Sequence, residues 1–105
     1  MAEINLITAF SNDIPGSEAE ELKKVLSESI DQVAQEEGNF KRAKIVFSEH
    51  NEQCILTAEL DGIRKEPNPL QLDLEQLEDA RTSASARAQI KEALRAYFRK
   101  VRGAA

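Results

Sequence analysis

The sequence predicts an α+β fold in two layers, a small antiparallel sheet packed by helices, in the order β-α-β-β-(β)-α. Three observations carry that expectation. A long amphipathic stretch follows a first β-rich segment, two alternating segments then pair about a short turn in a single register, and a second amphipathic stretch follows them. The 105 residues, 41% hydrophobic and 31% charged, suit one α+β domain over 1–105. Aromatic residues make up only 5%, so its core must rest on Leu, Ile, Val and Ala.

Residues 3–10, EINLITAF, place Ile4, Leu6, Ile7 and Phe10 in a β-rich run and read as the first strand. Asn12, Asp13, Pro15 and Gly16 end it. Ser17 with Glu20 three residues on has the form of a capping box, in which each side chain satisfies a backbone N–H of the first helical turn. Leu22, Val25, Leu26, Ile30 and Val33 follow as one apolar stripe, with Glu21, Glu28, Asp31 and Glu36 outside it. Gly38-Asn39 supplies the stop.

Lys41–His50 and Gln53–Asp61 read as a hairpin turning at Asn51-Glu52. With those two residues as the turn, Ala43 faces Leu60, Ile45 faces Ala58 and Phe47 faces Leu56 on one face. On the other, Lys44 faces Glu59 and Arg42 faces Asp61, two pairs of opposite charge. A slip of one residue would destroy both patterns together, so the register is sharply specified. Asn-Glu is not the favoured Asn-Gly, which leaves a four-residue loop in the same register as an alternative.

Gly62–Gln71, with Pro67 and Pro69, reads as loop. Leu70, Leu72 and Leu74 alternate as a short edge strand would. Asp73 as N-cap, Gln76 three residues later and Leu72 stapled on Leu77 instead favour a helix start, and that reading is the better supported. The helix should run to about Ala80, meet an interruption at Thr82-Ser83-Ala84-Ser85, and resume from Ser85 to about Arg102.

Cys54 is the only cysteine, so no intrachain disulfide is expected and a reducing compartment follows. MAEINLITAF lacks the basic region and apolar run of a secretory leader, and no 18 consecutive residues are apolar. The expectation is a cytoplasmic protein that spans no membrane.

Charge is unevenly distributed. Residues 81–105 carry seven Lys/Arg against Glu92 alone, a net of +6, whereas residues 1–80 carry a net of −11. Projected at about 100° per residue, Arg87, Lys91, Arg95, Arg99 and Arg102 form a basic stripe beside an apolar stripe of Ile90, Ala93, Leu94, Tyr97 and Val101. Such a stripe is a candidate partner-binding surface for phosphate or for an acidic protein. The plainer reading is a core-packed helix whose solvated cations favour its C-terminal dipole. In a third reading the acidic first helix pairs with the basic last helix, within one chain or across a two-fold axis. That would leave little for nucleic acid.

Chemistry finds few footholds. His50 is the sole histidine and lies near Glu49, Glu52 and Cys54, but the hairpin register sends His50 and Cys54 to opposite faces. Glu75 and Asp79, one helical turn apart, could hold a divalent ion but more often form a solvated face. No glycine-rich phosphate loop, nucleophile elbow or metalloprotease histidine pair is present. No catalytic, cofactor-binding or metal-ligating residue is assigned. The expected function is a non-enzymatic interaction module that binds another protein through its sheet or last helix, as a homodimer. The alternative is a nucleic-acid- or ribosome-associated protein using the basic stripe, opposed by a pI near 4.9. An acidic mimic acting through the first helix is a third class, with no motif behind it.

Overall fold

Every even-numbered residue from 42 to 46 is exposed and every odd-numbered one from 43 to 49 is buried, so this strand has one wet face and one covered face. The computed structural model describes residues 3–37 and 40–103. Its elements are β1 (Glu3–Ala9), α1 (Gly16–Glu37), β2 (Arg42–His50), β3 (Gln53–Leu60), β4 (Leu70–Asp73), α2 (Leu74–Asp79) and α3 (Ala84–Arg102). This is the expected α+β order, with the optional fourth strand present and the last helical region in two pieces.

The sheet has the order β1-β2-β3-β4 and is mixed. β2, β3 and β4 are antiparallel, as expected, but β1 runs parallel to β2, with Glu3 beside Arg42 and Leu6 beside Ile45. The cause is α1: a strand followed by a long helix re-enters the sheet in its original direction, whereas hairpins reverse it. β4 therefore also runs with β1. The two long helices each return against such a strand, so α1 and α3 lie parallel on the same face.

The hairpin register is the predicted one throughout, from His50 beside Gln53 to Ala43 beside Leu60. Its turn is the two-residue form, with Asn51 at φ 50° and Glu52 at φ 66°, the left-handed pair that matches strand twist. Neither residue is glycine, and two side chains in this region carry a steric cost. The Glu52 N–H recovers some of it by donating to the Glu49 carboxylate at 3.0 Å.

Both expected charge pairs are opposed in register, with the Asp61 N–H donating to the Arg42 carbonyl at 2.9 Å, but neither is joined through its side chains. The Asp61 carboxylate turns back to accept from the backbone N–H groups of Lys41 and Arg42, both at 2.9 Å, while the Arg42 guanidinium lies 3.7 Å from Glu3. Lys44 and Glu59 are opposed in register, but no ion pair joins them. Exposed long side chains gain too little from such a contact to hold one geometry.

Helix ends also differ in detail. α1 starts at Gly16, where the Pro15 carbonyl accepts from the Ala19 N–H at 2.9 Å, so Ser17 lies inside the first turn, past the capping position. Gly38-Asn39 lies outside the described residues. Asp73 ends β4 and is also the N-cap residue of α2, without a side-chain cap bond: the strand and helix readings of this segment are both right. Ser83 caps α3 by accepting from the Ala86 N–H at 3.2 Å. Gly103, at φ 81°, closes it in the left-handed conformation.

The core lies between the sheet and the helices. Leu22, Leu26, Ile30 and Val33 of α1 meet Ile45, Phe47 and Leu56 of the sheet and Ile90, Leu94, Phe98 and Val101 of α3, all fully buried. Phe40 meets Phe98 edge-on at 6.1 Å.

Candidate functional site

The helices cover one face of the sheet and leave the other bare. On the bare face stand Glu3, Asn5, Ile7 and Ala9 of β1, Arg42, Lys44, Val46 and His50 of β2, and Gln53, Ile55 and Glu59 of β3, all exposed. Ile7, Val46 and Ile55 are 45%, 38% and 41% exposed, which makes them three of the four exposed large apolar side chains among the described residues. They are not scattered. Ile7 lies beside Val46 across the β1–β2 pair, and Val46 lies beside Thr57, two residues along β3 from Ile55. Isolated exposed aliphatics are ordinary, but a contiguous group on a flat, unpacked sheet is a contact surface in form. A shallow depression of about 590 Å³ adjoins it, lined by Glu3, Asn5, Arg42, Lys44, Glu59 and Gly62.

The basic stripe of α3 is built into the fold. Lys91 Nζ donates to Gln32 Oε1 at 3.0 Å, and Arg95 Nε donates to Glu36 at 3.0 Å. Glu37 accepts from Arg99 at 2.9 Å and from Arg102 at 3.0 Å. Arg87 reaches the other way, donating to the backbone carbonyls of Ala80 at 2.7 Å and Arg81 at 3.1 Å, and so closes the end of α2. Arg81 continues the seam to Glu21 at 3.1 Å. The chain thus forms the acidic-helix to basic-helix pairing, within one molecule.

Parallel helices explain why. α1 and α3 end side by side, so two negative dipole ends lie together, and α1 adds Glu36 and Glu37 to its own last turn with no basic residue there. Arg95, Arg99 and Arg102 neutralise this accumulation. Hydrogen bonding to Glu36 raises the Arg95 pKa further, partly against the desolvation of its guanidinium, with the charges of Glu36 and Glu92 adding to the rise. The deepest link is Arg102–Glu37, whose side chains are 16% and 9% exposed.

Glu49 is the buried carboxylate of the fold, 6% exposed on the covered face. It accepts from the Ser11 N–H at 2.9 Å, the Ser11 hydroxyl at 2.7 Å and the Glu52 N–H at 3.0 Å. Burial alone would raise its pKa. The hydrogen bonds from Ser11 and Glu52, with the nearby His50, outweigh burial and hold the carboxyl below its usual range. Asp13, Glu18, Glu52 and Glu78 join it around a depression of about 440 Å³. Glu78 is raised, first by a carboxyl–carboxyl hydrogen bond with Glu18 and then by burial. Among the described residues no three His, Cys, Asp or Glu side chains converge as a metal site.

His50 and Cys54 fall on opposite faces, as the register requires: His50 is exposed and Cys54 is 1% exposed. Burial, then the charges of Glu49, Asp73 and Glu78, push the Cys54 thiol up to about 11, so it is a thiol and not a nucleophilic thiolate near neutral pH. Glu75 and Asp79 stand exposed on α2. No family model, curated protein or solved structure matches the chain.

The bare-face patch is not among the expectations above, but the sequence carries its signal. The hairpin register that places Ile45 and Phe47 inward necessarily turns Val46 and Ile55 outward, and a polar face carrying aliphatics is the anomaly to notice. Glu49 was equally legible as a carboxylate opposite Cys54 on the inward face.

Proposed function

We propose that this chain is a non-enzymatic interaction module that acts as a homodimer and binds another protein on the bare face of its sheet. The single observation behind this reading is the contiguous exposure of Ile7, Val46 and Ile55 on a face that no helix covers. Charged and polar side chains surround the three aliphatics, the arrangement of an apolar centre within a polar rim that protein interfaces share.

The nucleic-acid alternative loses support from the seam. A phosphate-binding stripe needs unpaired cations, and Arg95, Arg99 and Arg102 are each ion-paired with a carboxylate of α1, while Lys91 is hydrogen-bonded to Gln32. A photo-crosslinking residue placed at 46 in cells, against a control at exposed position 20 on α1, tests the reading. Crosslinks to protein from position 46 and none from position 20 are expected. Crosslinks to RNA, or equal protein yields from both positions, would overturn it.

A further inference from the structure

We propose that two copies of this chain join along β1, antiparallel about a two-fold axis at Leu6, to make one continuous eight-stranded sheet. This rests on the reading of the chain as a self-associating module and names the surface that joins the copies.

The first observation is an open edge. Among the described residues β1 has β2 as its only neighbour in the sheet. The Glu3 N–H donates to Lys41 at 2.8 Å, in the register that sets Glu3 beside Arg42. In a parallel pair alternate residues bond to the neighbour, so the N–H and C=O groups of Ile4, Leu6 and Thr8 point away from the sheet. Such a row is a template for another strand.

The covering of the same strand is incomplete on both sides. Ile4 and Leu6 face the helices but remain only partly buried, whereas Ala43, Ile45 and Phe47 beside them on β2 are 3% exposed or less. The helical layer stops short of the edge. Ile7, on the bare face, is 45% exposed. A strand added here would cover all three.

The other edge is protected. β4 has four residues, follows Pro67 and Pro69, and ends on Asp73; short strands, prolines and edge charges all discourage pairing. Joining β1 to β1 therefore closes the assembly at two copies, because only the protected edges are left outside it.

The self-complementary register of β1 about Leu6 selects a second copy as the occupant, and charge leaves this edge as the place where two copies can meet. Each chain carries −5, and the helical side exposes Glu20, Glu28, Asp31 and Glu92, so like chains repel over most of their surface. Residues 4–12 contain no charged side chain. The one charge on β1, Glu3, is beside Arg42 of its own chain at 3.7 Å. About an axis at Leu6, Leu6 meets Leu6, Ile4 meets Thr8, Asn5 meets Ile7 and Glu3 meets Ala9, and no two like charges oppose. The outward groups of residues 4, 6 and 8 form hydrogen-bonded pairs in that register. The union also sets the two bare faces side by side, with both copies of Ile7 near the axis, and so doubles the surface offered to a partner.

Sedimentation velocity of the full chain across the micromolar range, with Leu6→Lys and Leu6→Glu alone and mixed in equal amounts, tests this. The unmodified chain should dimerise, each variant alone should be weakened about 100-fold by the like charges at the axis, and the mixture should recover the dimer. Leu6→Cys gives a second readout with a small uncharged side chain, since hydrogen-bonded antiparallel pairs hold Cα atoms about 5.5 Å apart, within disulfide reach. It should form a disulfide-linked dimer on oxidation, and Ile55→Cys should not. Dimers that persist in both single charge variants but are lost in Val46→Arg would overturn the β1 assignment and leave a homodimer formed through the bare face. A chain that is monomeric throughout would overturn both the assignment and the homodimer reading.

Discussion

Val46 and Phe47 are consecutive residues of β2, and the sheet sends them into different surroundings. Phe47 lies on the covered face, fully buried and 5.4 Å from the ring of Phe10; Val46 lies on the bare face, 38% exposed. The same contrast governs the charged groups. On the covered side Glu49 has three donors and Glu37 two guanidinium groups. On the bare side Glu3 and Arg42 meet only at 3.7 Å, with both side chains about four-fifths exposed, and Lys44 and Glu59 merely oppose. Glu49 and Glu37 acquire defined partners where water is excluded, because an unmet group there is expensive, although the buried Tyr97 hydroxyl and Arg102 Nε have none among the described residues. Where water is present, polar groups need none.

Substitutions across the sheet should therefore differ most at this one step of the chain. Phe47→Ala is expected to cost about 3–5 kcal/mol through lost burial and the cavity left behind. Val46→Ala should stay within about 0.5 kcal/mol, as surface changes do. Paired urea denaturation of the two variants checks this, and comparable losses would mean the bare face is covered in solution.

A smaller separation should appear between the two kinds of ion pair. Glu37→Gln removes the negative charge shared by Arg99 and Arg102, keeps only one acceptor oxygen for the two, and leaves the largely buried Arg102 without its charge partner, at an expected cost of about 1–3 kcal/mol. Glu3→Gln, which touches only an exposed pair, should be nearly silent, within about 0.5 kcal/mol. Thermal melts of both variants in low salt decide the point.

The third test uses pH and concerns the size of a single carboxylate's contribution. The folded pKa of Glu49 lies below the unfolded value, so its contribution is complete above the ordinary carboxylate range and fades as pH falls through the folded value. Glu49→Gln should be less stable than the unmodified chain at neutral pH by about 1 kcal/mol, and the gap should close in acid. A gap that persists unchanged to pH 2 would show that shape and not charge holds this position.

What the sequence disclosed follows the same line between sides. The covered side was legible because burial imposes periodicity: the stripe from Leu22 to Val33 and the Ala43–Leu60 register could each be satisfied in only one way. The direction of β1 was not, because alternation marks a strand and says nothing of which way it runs; that depends on α1 returning it to the sheet. The arginine stripe was visible as a charge pattern, but its partners lie about 60 residues away in sequence, and no local rule joins Arg95 to Glu36. Asp61 misled because a carboxylate opposite an arginine can instead serve backbone N–H groups, which are fixed and cost less side-chain entropy to engage.

The parallel placement of β1 has a consequence for the order in which the molecule assembles. β2 and β3 are joined by two residues, so their pairing needs little loop closure and can form on its own. β1 can pair with β2 only after the whole of α1 has been spanned, and the ties from Ser11 to Glu49 and from Arg95 to Glu36 close loops of 38 and 59 residues. Contacts of such separation reward the chain late. The hairpin is then the early template and β1 the last strand to arrive, which makes the first strand in sequence the one most exposed to a neighbouring chain while the protein is being made.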